Sequence, residues 1–411
     1  MDSMKRNPLK GIANFLGLNK TILTMLIMVI FLGLGEKMAE RFLPLYIVAL
    51  GGSSIFVAFL NGMDNLLSAL YSFPGGYLSD RIGYKKSLIA FIIMATIGYL
   101  IVIIFPGWKA VLVGAVFFIS WTAISLPAIM SLVSKSVKKE KQTMGVSLHS
   151  LVRRIPMGLG PILGGVLIGV YGKVLGVKIG LACAFVLGLI SIFFIKRYMA
   201  EDPVIKGKGM SFKESFSSIN PDLRVLLVSD ILIRFAEQIP YAFVVLWVVD
   251  NLHFSAFQFG LLTGIEMATA MAVYIPIAFL ADKYNKKPFI AITFGFFTIF
   301  PLFIYYSRTF EMLIFAFIIR GLKEFGEPTR KSLILDFAPT DKKASTFGTY
   351  YLIRDVIVSM AAFSAGFLWN ISPKVNFMTA FAFGIVGTLF FLIFGKEKRK
   401  NIEEVAKTSL K

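Results

Sequence analysis

The sequence predicts an all-α membrane protein with twelve transmembrane helices in two pseudo-symmetric six-helix bundles. Of the 411 residues, 56% are hydrophobic and only 16% are charged, which is too little polar surface for a soluble globule of this length. Twelve apolar runs reach the roughly 20 residues that a helix needs to cross a bilayer. An internal repeat of about half the chain predicts the two bundles.

The apolar runs follow one another with short polar gaps, as antiparallel membrane helices do. Their approximate ranges are 21–50, 55–78, 87–105, 109–136, 144–171, 174–196, 222–250, 254–280, 288–306, 309–338, 345–370 and 374–395. One longer gap combines charges with Gly and Pro and is predicted to be a cytoplasmic linker. The predicted domains are an N-terminal cytoplasmic segment (1–20), an N-terminal bundle (21–196), the linker (197–221), a C-terminal bundle (222–395) and a basic cytoplasmic tail (396–411).

The repeat is visible in matched landmarks. Asp80 recurs as Asp282, 202 positions on, and each lies in a short basic loop between two apolar runs. Three further pairs keep nearly the same offset: Asp64 and Glu266, Pro127 and Pro328, Arg153 and Arg354. A constant offset across separated landmarks indicates two copies of one membrane-embedded unit.

The net charge of +19 reports membrane topology. The Lys and Arg residues lie in short gaps between apolar runs and form no face with interleaved aromatics, so we expect contact with anionic membrane lipids and not with nucleic acid. The basic gaps fall on one side of the predicted bilayer, and the positive-inside rule places both termini in the cytoplasm of a multi-pass cell-membrane protein. We expect it to be a monomer.

Enzyme signatures are missing from the sequence. It contains no H-E-x-x-H, no P-loop and no G-x-S-x-G turn, which argues against a protease, an ATP-driven pump or a hydrolase. A single cysteine, Cys183, excludes an intramolecular disulfide and a multi-cysteine metal site. We therefore expect no enzymatic activity, no cofactor and no metal.

The loop between the second and third apolar runs contains Gly75, Asp80, Arg81, Gly83 and Lys86. With these residues it resembles the signature of the major facilitator superfamily of secondary transporters. The equivalent loop of the second half, which includes Asp282 and Lys283, is a degenerate copy. The likeness extends from about Thr21 to Phe394 and implies the major facilitator fold with alternating access.

The same loop is predicted to act as a gate. Asp80 precedes the third apolar run, where its carboxylate can cap free N–H groups or pair with Arg81 and a basic residue of a neighbouring helix end. We interpret this as an ionic latch that closes the cytoplasmic side in one state and opens in the other. The alternative is a basic turn that only sets topology.

A glycine-proline run in the fifth apolar segment, residues 158–165, looks like the motif of proton-coupled exporters in that family. Gly160 and Gly164 have the spacing that lets helix backbones approach closely, Gly165 continues the pattern, and Pro161 weakens the helical ladder. The structural interpretation is a packing seam. The functional interpretation is that the seam joins the fifth helix to the eleventh and closes a gate.

Ionisable residues inside apolar runs are the predicted substrate or proton site. Each costs at least ~2.5 kcal/mol on insertion scales, so they should face a wet cavity or one another. The candidates are Glu36, Glu40, Arg41, Asp64, Arg153, Arg234, Glu237, Glu266, Arg320, Lys323, Glu324, Glu327 and Arg354. Four of them, from Arg320 to Glu327, are spaced as one stripe of a tenth helix. The alternative is a salt-bridge network that only holds helices in register.

We interpret the chain as a secondary active transporter of small molecules that works by alternating access. The resemblance implies proton-coupled efflux of amphipathic or drug-like compounds, with protons as the coupling ion. Carboxylates in a low-dielectric cavity can load and release a proton as their surroundings change, which favours Glu36, Glu237, Glu266 and Glu324 as carriers. The alternatives are uptake or exchange of an organic anion or metabolite and, from another class, a non-transporting membrane receptor on the same scaffold.

Overall fold

A computed structural model of the chain describes residues 20–118, 125, 129, 142–199, 220–283, 285–338 and 343–396. Within these ranges the described side chains exclude positions 20, 72–77, 79–80, 142–151, 274–275, 278–279, 281–283 and 343–345. Everything below refers to this part of the chain. Most of the predicted linker, of the N-terminal segment, of the basic tail and of the fourth apolar run lies outside it.

The described residues confirm the all-α prediction. Helices of the first half are α1 (Lys20–Glu40), α2 (Leu43–Ala49), α3 (Ser54–Ile82), α4 (Tyr84–Ile104), α5 (Trp108–Phe118) and α6 (Gln142–Tyr198). Those of the second half are α7 (Pro221–Tyr241), α8 (Val244–Leu246), a π-helical turn (Trp247–Asn251), α9 (Ala256–Lys283), α10 (Lys286–Tyr306), α11 (Phe310–Leu322), α12 (Glu327–Phe337), α13 (Lys343–Ile371) and α14 (Pro373–Phe394). In the described residues, eight helical segments are long and apolar enough to cross a membrane, and Trp108–Phe118 is a shorter apolar helix.

Several predicted runs contain a break. The first run is divided into α1, which ends at Glu40, and α2, which begins at Leu43. The tenth run is divided into α11 and α12. The fifth and sixth runs form two helices, together labelled α6, that meet at Gly172, where φ is 79° and ψ is 167°. This backbone conformation favours glycine, which has no Cβ. Gly83, between α3 and α4, has a φ of 83° for the same reason.

One pair of helices repeats with the offset seen in the sequence. Helix α4 begins at Tyr84 and α10 at Lys286, which are 202 positions apart, and both have 21 residues. For this pair the internal repeat is also a repeat of helix length.

Polar capping residues set helix starts in the second half. Asn220 accepts a hydrogen bond from the N–H of Leu223 at 2.8 Å and precedes Pro221, which suits the first helical position. Thr309 and Ser372 cap α11 and α14 in the same way. In a membrane, where no bulk water pairs with free N–H groups, such caps fix where each helix begins.

The helices form two compact units. The described part of Met1–Ser53, Leu66–Gly209 and Val248–Gly264 is the first unit, and that of Ser54–Asn65, Met210–Trp247 and Ile265–Lys411 is the second. The start of α3 therefore belongs to the second unit although it lies in the first half of the chain. Residues 248–264 belong to the first unit although they lie in the second half. The division into bundles at 197–221 stays a prediction.

In the first unit, α6 packs closely on α1. An added Cβ on Gly164 would collide with the carbonyl oxygen of Met38 and the Phe42 ring, and one on Gly35 would lie 2.5 Å from the Cα of Ala184. Gly188 fits against Thr96 of α4. These contacts leave no room for larger residues, which is how membrane helices gain packing energy.

In the second unit, α7, α10, α12, α13 and α14 surround an apolar core. Its members are Leu223, Leu226, Leu227, Ile233, Ile290, Phe294, Phe297, Leu333, Ile334, Phe337, Tyr350 and Phe391. The start of α3 packs on α13, where Gly366 lies against Ser54 and Ile55. Buried charged residues of the second unit also lie among these helices.

Candidate functional site

Most buried charges of the described chain lie in the second unit and form two ion-pair groups joined by one arginine. We call the first the cavity group: Glu237, Glu266, Arg320 and Lys323. We call the second the Asp230 group: Asp230, Glu327, Arg330, Tyr350 and Arg354. Arg234 of α7 connects them.

The cavity group brings together α7, α9 and α11. Lys323, just after α11, donates to Glu237 of α7 at 2.7 Å and lies 3.6 Å from a carboxylate oxygen of Glu266 on α9. The Nε atom of Arg320 lies 3.3 Å from the same Glu266 oxygen. Glu266 exposes only 1% of its surface, so its charge is compensated by these two cations and not by solvent.

The Asp230 group holds α7, α12 and α13 together. Asp230 accepts a hydrogen bond from Arg330 Nη1 and another from the Tyr350 hydroxyl at 3.0 Å. Arg354 Nη1 lies 3.4 Å from the same carboxylate, and Arg330 Nη2 donates to Glu327 at 2.7 Å. Arg354 also donates to Asp355 at 2.7 Å. Every member thus has an oppositely charged or hydrogen-bonding partner, as buried charges require.

Arg234 connects the two groups. It donates to Glu237 at 2.6 Å and to Glu327 at 3.2 Å, and its guanidinium carbon lies 5.1 Å from the centre of the Phe297 ring. Cations and carboxylates therefore alternate from Glu266 on α9 to Asp230 on α7.

Arg330 was missed by the sequence interpretation, although it is among the largest fully buried side chains. Its position three residues after Glu327, where the two share one helix face, was an available signal. The partner Asp230 lies 100 positions earlier, and no spacing rule links residues that far apart.

The predicted single stripe from Arg320 to Glu327 is wrong in its geometry. Helix α11 ends at Leu322 and α12 begins at Glu327. Gly321 and Gly326 weaken helical order there, and Pro328, in the first turn of α12, has no N–H to donate. As a result Arg320 and Lys323 contact Glu266, whereas Glu327 contacts Arg330. Glu324 lies in the turn between the two helices, half-buried.

A cavity opens beside the cavity group. It is narrow, with a volume of about 10 Å³, and is lined by Glu237, Phe296, Phe297, Phe300, Arg320 and Lys323. Three aromatic rings from α10 thus face two cations and one carboxylate. Pockets of this composition hold small organic molecules, with the rings contacting the apolar part and the charged groups fixing its orientation.

In the first unit, the predicted charges of the first run form a smaller group. Lys37 Nζ lies 3.1 Å from Glu36 and donates also to Glu40. Glu36 exposes 7% of its surface. Arg41 lies in the turn between α1 and α2, half-buried and electrostatically coupled to Glu40.

The remaining predicted site residues lie elsewhere. Asp64 is half-buried on α3, next to Asn65, whose amide donates to Gln238 of α7 at 3.2 Å. Arg153 is half-buried on α6.

The predicted gating loop is described only in part. Arg81 and Lys86 are exposed, and Gly83 forms the turn into α4. The backbones of Gly75 and Asp80 belong to α3, and those of Asp282 and Lys283 belong to α9. The side chains of Asp80, Asp282 and Lys283 lie outside the described residues.

The glycine-proline run packs on the first and eighth apolar runs within the first unit. Gly160 contacts Lys37, and Gly164 contacts Met38, both on α1. Gly165 contacts Ala256 and Phe257, and the carbonyl of Pro161 faces Gly260, all within the first unit. The expected contact with the eleventh run, which belongs to the second unit, stays a prediction.

Comparison with known proteins identifies the family. The model of the Major Facilitator Superfamily matches residues 25–233 and 226–410. Two matches thus divide the chain into halves, in agreement with the repeat.

Individual relatives are distant and match over nearly the whole chain. The chain is 23% identical over 377 residues to an uncharacterised MFS-type transporter of Methanocaldococcus jannaschii, covering 87% of this chain and 91% of the relative. It is 25% identical over 397 residues to the multi-drug resistance efflux pump PmrA homolog of Lactococcus lactis, covering 90% of this chain and 94% of the relative.

Among solved structures, the nucleoside transporter NupG superimposes with a TM-score of 0.76 at 14% identity. The match covers 92% of this chain and 100% of that structure. At this identity the likeness establishes the fold.

Proposed function

We propose that this chain, which belongs to the major facilitator superfamily, exports small amphipathic, drug-like compounds in exchange for protons. The chain is a multi-pass membrane transporter and not an enzyme. The observation that carries the proposal is the cavity of the second unit, where three phenylalanine rings face ion-paired charges. The likeness to a multidrug efflux pump supports it.

The cavity composition favours amphipathic substrates. Phenylalanine rings supply large apolar contact area with few directional demands, so compounds of different shape can lie against them. Arg320, Lys323 and Glu237 also line the cavity and place charge beside the polar end of such a compound.

Glu36 is the proposed proton carrier of the first unit. It shares Lys37 with Glu40, which also interacts with Arg41. Of the two carboxylates, Glu36 therefore has fewer cationic neighbours than Glu40. Because an ionised carboxylate is costly within a membrane, a change in the position of Lys37 would favour binding of a proton there.

Proton coupling is tested in proteoliposomes with a pH-sensitive dye inside. We expect efflux of acidic, neutral or basic naphthalene compounds to drive protons in the opposite direction, and an imposed pH gradient to drive the compounds. Glu36→Gln should abolish gradient-driven transport and retain downhill exchange. Glu311→Gln, at the exposed start of α11, serves as the control and should behave as the wild type.

Transport of the compounds that does not depend on the pH gradient excludes the proposed coupling to protons. Uptake of an organic anion or metabolite, favoured by the two cations that line the cavity, predicts the opposite direction of transport under the same gradient. Ligand binding without any flux identifies a receptor.

We also propose a monomer in the cell membrane, surrounded by lipids, with both termini in the cytoplasm. The basic loops support this orientation. A fluorescent protein that folds only in the cytoplasm, fused after Lys411, should fluoresce. A dark fusion that is made in full would place the C-terminus on the other side.

A further inference from the structure

Arg320 has an unusual environment within the second unit. It exposes 4% of its surface, and its guanidinium lies 5.1 Å from the Phe300 ring, 5.5 Å from Tyr241 and 5.6 Å from Phe317. Its single carboxylate neighbour in the described chain is Glu266, at 3.3 Å from Nε. No hydrogen bond from this guanidinium to any described residue is present.

The other arginines of the two groups differ. Arg234, Arg330 and Arg354 each donate hydrogen bonds of 2.6–2.7 Å to carboxylates. A guanidinium has five N–H donors in a fixed planar fork, and a carboxylate that reaches the donors of Arg320 would form charge-assisted hydrogen bonds with them. Arg320 is also the arginine that lines the cavity. Its free donors therefore border the space that a ligand would occupy.

The other charges of the cavity are engaged. Lys323 donates to Glu237 at 2.7 Å, and Glu237 accepts a second hydrogen bond from Arg234 at 2.6 Å. A ligand that paired with either would have to break an existing buried ion pair. Arg320 can accept a new partner while keeping Glu266 as its neighbour.

We infer that Arg320 anchors a carboxylate of the transported compound, whose apolar body lies against Phe296, Phe297 and Phe300. The planar fork of a guanidinium matches the two oxygens of a carboxylate. This names the substrate class as small aromatic or apolar acids, and it rests on the proposed export function because it concerns the same cavity.

The test compares three compounds that share one ring system: 1-naphthylacetate, its neutral amide 1-naphthylacetamide and the cationic 1-naphthylmethylamine. Binding to the purified full-length protein in detergent is measured by calorimetry and by the shift in melting temperature. We expect the acid to bind about tenfold or more tightly than the amide, because hydrogen bonds to charged groups contribute that much.

The variant Arg320→Lys keeps a cation beside Glu266 and removes the fork. It should weaken binding of the acid about tenfold or more and leave binding of the amide unchanged. Arg308→Lys is the matched control: Arg308 is exposed, lies over Trp247 and Tyr305, and does not line the cavity. If Arg320→Lys does not fold, the double variant Arg320→Gln with Glu266→Gln removes both charges together and takes its place.

Equal binding of the acid and the amide overturns the inference. So does an acid affinity that Arg320→Lys leaves unchanged, or a failure of all three compounds to bind. Binding in detergent needs no proton gradient, so the two proposals fail separately. Acid-selective binding without gradient-driven export contradicts only the proposed function, whereas proton-coupled export of the amide or amine alone contradicts only the carboxylate anchor.

Discussion

The pair formed by Arg330 and Asp230 connects α12 to α7, and each of these side chains exposes only 1% of its surface. Buried charges gain from each other only when both are present, because each is costly without its partner. Tyr350 and Arg354 of α13 complete the arrangement around Asp230. Three helices of the second unit therefore depend on this contact.

Arg330→Met should lower the free energy of unfolding by about 3–5 kcal/mol, since it leaves the Asp230 carboxylate buried with weaker partners. Combining it with Asp230→Asn should restore much of that loss, because the uncompensated charge is then gone. Thermal unfolding of the purified variants measures both effects.

The neighbouring residue supplies the control. Lys331 is 43% exposed and lies 3.5 Å from Glu327, and exposed ion pairs contribute at most about 1 kcal/mol. Lys331→Met should therefore change stability little. Equal losses in Arg330→Met and Lys331→Met would show that the pair is not a main stabilising contact.

At the scale of the helical element, the break between α11 and α12 positions the cavity group. The N–H of Gly326 donates to the Thr293 hydroxyl of α10 at 2.5 Å, and an added Cβ would lie 2.5 Å from the carbonyl oxygen of Phe289. A backbone oxygen cannot move aside as a flexible side chain can. Gly326 is thus required for α10 and the turn to approach this closely.

Gly326→Ala should therefore separate the turn from α10, at a cost of about 1–3 kcal/mol in stability, and shift Lys323 away from Glu237. We expect a lower melting temperature together with slower transport. Gly295→Ala, on α10, is the matched control, because no atom lies within 4 Å of its added Cβ. A Gly326→Ala protein with wild-type stability and transport would contradict this role of the turn.

Elements could be predicted from the sequence better than their contacts. Each membrane helix needs about 20 apolar residues, so hydropathy located the twelve runs. The break after Leu322 was missed although Gly321, Gly326 and Pro328 are visible in the sequence, because the charges also fitted one helical stripe. Pairs such as Lys323 with Glu237, 86 positions apart, depend on tertiary packing that no local pattern encodes.

At the scale of the whole molecule, the repeat relates the two halves of the chain. The matched start and equal length of α4 and α10, and two matches to one family, indicate that both halves provide equivalent helices. Their charge content differs. The fourth apolar run has Ile119, Thr122, Ala123 and Leu126 where the tenth has Arg320, Lys323, Glu324 and Glu327. We therefore expect the two halves to move in similar ways and to have different roles in binding the transported compound.

Alternating access requires contacts that hold in one state and release in the other, and the proposed latch at Asp80 is such a contact. Asp80→Asn keeps the size of the side chain and removes its charge. We expect the variant to reach the membrane in normal amounts and to transport several-fold more slowly, with ligand affinity in the cavity unchanged, because the cavity residues lie on other helices. Lys85→Gln, which removes a charge from the same loop and keeps Asp80, should transport at the wild-type rate. Unchanged turnover in Asp80→Asn at normal expression would reduce the loop to a turn that sets topology.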